Sequence, residues 1–204
     1  MPQTASILGL RRQLLGAGLI GLAGAFLPSL ASAAGASPDQ TTTTAPPRQP
    51  DSADLTQLAF AQTVELAAHR LYGLALATDG LGDTARAVMT EVRAAHLAYA
   101  QALGALIGRT APGVPLQALV DEGTAAFTGG QTGIVAAAAD LENVIVATLT
   151  EMVGVMNGVN GARLLSSMLI AESRHALVFN DLAGRTEFDD LLLNDATALV
   201  PEEG

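Results

Sequence analysis

The sequence contains no cysteine, no lysine and no tryptophan, and aromatic residues make up only 3% of its 204 residues. Without cysteine, the chain cannot form a disulfide, a thiol nucleophile, a zinc–thiolate site or an iron–sulfur cluster. Without lysine, it cannot form a Schiff base or supply the lysine of a P-loop. The side chains left for chemistry are three histidines and the carboxylates.

Positive charge is also scarce. The sequence has ten arginines and twenty acidic residues, which gives a net charge of -10. Because nucleic-acid binding needs a basic surface, we predict no nucleic-acid partner. The length is that of one domain with appendages, and it is sufficient for a core that folds without disulfides.

The N-terminal segment has the features of an export signal. Two arginines at positions 11–12 precede an apolar stretch over residues 14–30, and residues 31–33 read Ala-Ser-Ala, a small-residue cleavage site. The arginine pair followed by Gln13-Leu14-Leu15 resembles a twin-arginine signal. The apolar stretch is marginal for a membrane span. We therefore predict export across the cytoplasmic membrane, to the cell envelope or the medium, with no stable span after cleavage.

The segment after the signal is rich in threonine and proline and has almost nothing to bury, which predicts a disordered linker. At the other end, the chain is acidic around three consecutive leucines, which we expect to cap the domain. The predicted order is a signal peptide at 1–33, a linker at 34–52, a helical domain at 53–186 and an acidic tail at 187–204.

The domain itself has a helical pattern, since Ala and Leu dominate and alternating runs are missing. Gly, Asn and Asp divide it into four long helices at about 54–78, 83–108, 131–156 and 161–183. The first and last links are short, but about twenty residues join the second helix to the third, with a short helix predicted at 116–127. Short links join antiparallel neighbours, so we predict an all-α four-helix bundle with a long crossover between the second and third helices.

A stripe of residues spaced four and three apart follows each long helix, apolar at both ends and polar in the middle. The middles of the helices face one another in a bundle, so the polar residues should converge at one level. They are Glu65, His69, His96, Glu142, Glu172 and His175. Two tyrosines on the stripes, Tyr72 and Tyr99, are interpreted as ordinary core residues.

These six polar side chains are candidate metal ligands. Buried carboxylates are costly unless they are paired or bind a metal, and carboxylates together with imidazoles suit iron, manganese or zinc. Glu172 and His175 are three residues apart, which places both on one face of the fourth helix.

Three segments carry a resemblance to a known family: Leu58–Glu65 with Leu71-Tyr72, then Asp140–Asn143, then Ala171–Ala176. With them the chain resembles the ferritin-like superfamily, and most of all the exported ferritin-like proteins of actinobacteria. Their di-iron pattern is a glutamate from each of two helices and Glu-x-x-His from each of the other two. The matching residues are Glu65, Glu142, the pair Glu172 and His175, and His96.

One position departs from that pattern. Arg93 stands three residues before His96, where the second-helix carboxylate is expected, and His69 is an additional imidazole. The departure removes a carboxylate that would balance two metal ions, and it predicts a guanidinium near Glu142 or Glu172.

The resemblance implies one or two Fe or Mn ions bound in the bundle core for redox or metal handling. An active site of this type would make the protein a ferroxidase- or peroxidase-like oxidoreductase. Two alternatives stay open: a metal-free bundle with a structural or partner-binding role in the cell envelope, and a ligand binder that uses the Ala-rich and Gly-rich helix faces. Metal ions are the predicted partners, and formation of a homo-oligomer stays open.

Overall fold

The computed structural model describes residues 48–201. Within them the chain forms six α-helices and one 3-10 turn, and no strand. The predicted signal peptide and most of the predicted linker lie outside the described residues. The elements are α1 (Ser52–Leu76), α2 (Asp83–Ile107), the 3-10 turn (Gly108–Thr110), α3 (Gln117–Phe127), α4 (Gln131–Val155), α5 (Val159–Leu182) and α6 (Phe188–Leu192).

Two helical hairpins build the domain. Helix α1 packs along α2 and α4 packs along α5, while α3 lies in the connection between the hairpins and packs against α1 and α4. Val120 and Phe127 anchor α3 through their buried side chains. The predicted all-α bundle with a long crossover between its second and third long helices is therefore confirmed.

The start of α1 is joined to the turn between α4 and α5 by one buried carboxylate. Asp51 caps α1 by accepting the N–H of Asp54 at 2.9 Å. The two side-chain oxygens of Asp54 in turn accept the N–H groups of Asn157 at 2.8 Å and Gly158 at 2.7 Å. A Cβ atom at Gly158 would lie 2.8 Å from Asp54 Oδ2, so this close approach requires glycine.

The opposite end of α1 is closed by a side chain from α2. Arg86 donates from Nη1 to the carbonyl of Leu76 at 2.7 Å and from Nη2 to the carbonyl of Thr78 at 2.8 Å. The last carbonyls of a helix have no partner within the helix, so a cation that donates to them stabilises the end. Both ends of α1 are thus held by polar contacts.

The C-terminal tail differs from the prediction that its leucines cap the domain. Leu193 is 65% exposed, so the leucine triplet does not act as a buried cap. The chain after α6 instead follows α4, where Asn194 Nδ2 donates to the carbonyl of Asn143 at 2.8 Å. Further along, the N–H of Leu199 donates to Thr148 Oγ1 at 2.9 Å. Hydrogen bonds to α4, rather than burial of the triplet, hold the tail.

Helix α4 is long and apolar enough to cross a membrane, by length and composition, and it is the one such helix among residues 48–201. Half of its most apolar stretch is buried inside the domain, and Glu142 lies fully buried near its middle. The core helix of a soluble protein meets the same criteria. We therefore describe α4 as a core helix of the bundle.

Candidate metal centre

The four long helices each contribute to one buried group of side chains, which we call the core cluster. Each member lies on the buried stripe of its helix, because the positions spaced four and three apart face the interior. Four members are 0–1% exposed, and the side chain of His175 is 15% exposed. The members are Glu65 on α1, His96 on α2, Glu142 on α4, and Glu172 and His175 on α5.

The imidazole of His96 occupies the middle of the core cluster. Its Nδ1 atom lies 2.7 Å from Glu65 Oε2 and 3.4 Å from Glu172 Oε1. Its other nitrogen, Nε2, lies 3.2 Å from Glu142 Oε1. One ring from α2 therefore contacts carboxylates from the other three long helices.

The second imidazole faces the other side of the same carboxylates. His175 Nδ1 lies 2.8 Å from Glu172 Oε2, one helical turn before it, and 3.6 Å from Glu142 Oε2. Glu172 thus presents Oε1 to His96 and Oε2 to His175. A carboxylate with one oxygen toward each histidine is the central connection of the cluster.

Tyr72 is a partner of the cluster that the sequence interpretation had assigned to the ordinary core. Its hydroxyl donates a hydrogen bond to Glu142 Oε1. Its ring stacks on that of His96, with centroids 5.4 Å apart and planes inclined by 18°, and also on Phe179 at 5.5 Å. A signal was present, because Tyr72 lies seven residues after Glu65 on the same polar stripe.

Burial and neighbouring charges shift the pKa values of the three carboxyl groups in different directions. Burial raises the pKa of Glu172 to about 8, against the opposing effect of His96. Burial also raises the pKa of Glu65, again opposed by His96. Burial also acts to raise the pKa of Glu142, but the charge and hydrogen bond of His96, together with nearby His175, hold that pKa well below the usual range. Glu142 is therefore the most persistent anion of the cluster.

The pKa values of the two imidazoles are both raised, because the neighbouring carboxylates outweigh the effect of burial. Burial alone would lower the pKa of His175, but the charge of Glu172, the hydrogen bond to Glu172 and the proximity of Glu142 raise it to about 10. The same competition raises the pKa of His96 well above its usual range, with Glu172 and Glu142 as the main charges. Burial and the charge of Glu142 also raise the pKa of Tyr72, which keeps its hydroxyl protonated as a donor.

His69 and Arg93 lie outside the core cluster, which corrects two expectations from the sequence. Arg93 is not near Glu142 or Glu172: its Nε donates to the backbone carbonyl of His69, and its Nη2 lies 3.3 Å from His69 Nε2. His69 Nδ1 lies 3.0 Å from the carbonyl oxygen of Arg93. Both side chains meet between α1 and α2, so five of the six candidate residues come together and His69 does not.

The donor atoms of the core cluster are suitable for a metal ion. One ligand atom from each of His96, Glu142, Glu172 and His175 can be chosen so that all four lie within 4.8 Å of one another. Within residues 48–201, three buried carboxylate oxygens have no hydrogen-bond partner: Glu65 Oε1, Glu142 Oε2 and Glu172 Oε1. Unpartnered buried oxygens are costly, and a cation bound by these four residues would satisfy those of Glu142 and Glu172. Carboxylate and imidazole donors together fit Fe or Mn.

Comparison with known proteins agrees with this architecture. Searches among curated proteins and among solved structures gave no match to the chain. The profile of one family, described as Ferritin-like domain, matches residues 53–185, which is more than half of the chain and contains the whole core cluster. With its two helical hairpins, its long crossover and its buried Glu/His cluster, the chain belongs to the ferritin-like domain family.

Proposed function

We propose that the protein binds a transition metal, Fe or Mn, in the core cluster and uses it for redox chemistry or metal handling. The observation that carries the proposal is the convergence of donor atoms from two imidazoles and two buried carboxylates, Glu142 and Glu172, each of which has one oxygen without a hydrogen-bond partner. Such oxygens are tolerated when a cation binds them. A bound Fe or Mn ion would supply one-electron redox chemistry.

The surroundings of the cluster support such a role. The rings of Tyr72 and Phe179, with Tyr72 stacked on His96, form an apolar wall on one side of the cluster, and Phe127 packs edge-on against Tyr72. These rings exclude water and lower the local dielectric, which strengthens binding of a cation by carboxylates. His175 is the one partly exposed member of the cluster, with 15% of its side chain accessible to solvent.

A metal-free bundle is the second candidate, and specific contacts favour it. His96 and His175 lie within hydrogen-bonding distance of Glu65 and Glu172, at 2.7 and 2.8 Å, so the cluster partly satisfies itself. Self-pairing leaves one oxygen of each carboxylate without a partner among the described residues. The unpartnered oxygens of Glu142 and Glu172 are the reason for preferring the metal-binding function.

The experiment compares metal content in the full chain and in two double variants. Protein purified gently, and again after anaerobic Fe(II) loading, is analysed for Fe, Mn and Zn. Glu172→Ala/His175→Ala should lose the metal, whereas Ser173→Ala/Arg174→Ala, at exposed positions between them, should keep it. Equal, background metal in all three proteins, before and after loading, would refute the proposal and favour the metal-free bundle.

We also propose that the chain is exported through its twin-arginine-like N-terminus. Support comes from the arginine pair, the apolar stretch and the Ala-Ser-Ala cleavage site in the sequence. That route carries folded proteins, so the metal would be loaded before export. Changing both Arg11 and Arg12 to Lys should retain the protein in the cytoplasm of a bacterial host that has the pathway. Unchanged export of the variant would contradict this proposal.

A further inference from the structure

We propose that the core cluster is a single-ion site formed by His96, Glu142, Glu172 and His175, in which Glu65 is a positioning residue and not a ligand. The inference rests on the proposed metal-binding function. It departs from the two-ion pattern, in which the glutamate of the first helix is itself a ligand.

The arrangement of donor atoms around His96 is the first argument. The four proposed ligands can bring their donor atoms within 4.8 Å of one another, a set that does not include Glu65. Glu65 instead lies against His96 Nδ1, at 2.7 Å, while His96 Nε2 faces Glu142 at 3.2 Å. A metal-binding histidine commonly donates its second N–H to a carboxylate, which fixes the orientation of the ring. Glu65 has the position of that second carboxylate.

The charge of the cluster is the second argument. Glu142 and Glu172 together carry two negative charges, which balance one divalent ion. A second divalent ion would have Glu65 as its only additional anion, leaving one uncompensated positive charge among side chains that are 0–1% exposed. An uncompensated buried charge is strongly unfavourable. The two proposed ligand carboxylates therefore balance one divalent ion, whereas all three carboxylates of the cluster are too few to balance two.

The absence of a second-helix carboxylate is the third argument, because Arg93 stands in its place. Arg93 occupies the position three residues before His96, and its guanidinium is directed to His69 between α1 and α2. Gly73 leaves room for it there, since a Cβ atom at Gly73 would lie 3.3 Å from Arg93 Nε. The second helix thus contributes one histidine to the cluster and a cation outside it.

The test is an anaerobic Mn(II) titration of the full chain, monitored by equilibrium dialysis and electron paramagnetic resonance. We expect one Mn(II) per chain and the six-line spectrum of an isolated ion. Two Mn(II) per chain with an exchange-coupled spectrum would overturn the single-ion site while leaving the metal-binding function intact. No binding at all would refute the metal-binding function as well.

Variants of Glu65 test its role separately. Glu65→Gln keeps an oxygen that accepts the His96 N–H, so it should still bind one Mn(II), with affinity reduced by about 10-fold at most. Glu65→Ala should bind one Mn(II) with affinity reduced by about 10- to 100-fold. Loss of Mn(II) from Glu65→Gln that remains helical by circular dichroism would show Glu65 to be a ligand and overturn the assignment. If either variant fails to fold, the wild-type stoichiometry and spectrum still decide between one ion and two.

Discussion

His96 Nδ1 lies 2.7 Å from Glu65 Oε2, and both side chains are almost completely removed from solvent. This contact joins the middle of α1 to the middle of α2, at the level where all four long helices meet. On its other edge the same ring contacts Glu142, and Tyr72 stacks on its face. The imidazole is therefore fixed in position and orientation, and the chemistry of the cluster follows from which groups carry protons around it.

The metal-free protein should lose stability as the pH rises above neutrality. The pKa of Glu172 is about 8 in the folded chain, against an ordinary value of 4.5, so folding retains a proton that the unfolded chain releases. The stabilisation from this group is fully present below pH 4.5, declines above it and is lost as the pH rises through 8. His175 acts likewise, from its ordinary 6.5 up to about 10. The urea midpoint of the metal-free protein should fall between pH 6.5 and 10.

Acidification should also destabilise the metal-free protein, through a different group. Contacts with the two histidines hold the pKa of Glu142 well below its ordinary value of 4.5, so its stabilisation is present above pH 4.5 and is lost below it. Maximum stability is thus expected at mildly acidic pH. In Glu172→Gln, the decline between pH 4.5 and 8 should become shallower than in the unchanged chain. A wild-type urea midpoint that rises steadily from pH 6.5 to 10 would contradict these assignments.

Metal affinity should change with pH in the opposite sense to metal-free stability. Bound ligands must be deprotonated, and the raised pKa values of Glu172 and His175 mean that a metal ion displaces protons from both. The affinity for Mn(II) should therefore increase by about 10-fold per pH unit for each proton released. Isothermal titration between pH 6 and 7.5, in buffers of different ionisation enthalpy, measures both the affinity and the released protons. An affinity that is independent of pH would exclude these two residues as ligands.

Replacing Tyr72 by phenylalanine should destabilise the protein by about 1–3 kcal/mol, because it removes the hydrogen bond to a buried carboxylate oxygen. The ring and its stacking on His96 are retained in this variant. Tyr99→Phe, at a partly exposed position, is the matched control and should change stability by less than about 0.5 kcal/mol. Urea denaturation measures both. An equal, small effect of the two variants would mean that the Tyr72 hydroxyl contributes nothing to the cluster.

Gly104 is required for the close contact between α2 and the buried amide of Gln62. A Cβ atom there would lie 2.6 Å from Gln62 Nε2, which donates to the carbonyl of Ala100 at 2.9 Å. Gly104→Ala should therefore cost about 1–3 kcal/mol. Gly133→Ala, where the added Cβ meets no atom within 4 Å, should instead be neutral or stabilising by up to about 1 kcal/mol. Thermal unfolding distinguishes them, and similar midpoints for the two variants would contradict the packing.

The convergence of five side chains could be predicted because the helical period relates every residue of a helix to its neighbours. With 3.6 residues per turn, positions three and four apart stay on one face, so Glu172 and His175 had to share a side of α5. Glu65, His96 and Glu142 each lie near the middle of their helices, so the bundle places them at the same level. The bundle and its crossover followed from the helical pattern together with the lengths of the links between the helices.

His69 and Arg93 could not be placed from the sequence, because both lie at the edge of a stripe. His69 is four residues after Glu65 and is rotated from it by about 40° around the helix axis. Whether such a residue faces the core or the neighbouring helix depends on how the helix is rotated in the bundle. In this chain α1 and α2 are rotated so that His69 and Arg93 meet each other. That rotation is a property of tertiary packing, and no local pattern encodes it.

The most direct test is anomalous X-ray diffraction from crystals of the protein grown with Mn(II), measured on both sides of the manganese absorption edge. The structure predicts one anomalous peak, enclosed by His96, Glu142, Glu172 and His175, with Glu65 in contact with His96 and not with the ion. Crystals of Glu172→Ala/His175→Ala grown in the same way should lack the peak. Absence of a peak in the cluster at a saturating Mn(II) concentration, or peaks confined to the acidic surface, would contradict metal binding in the core.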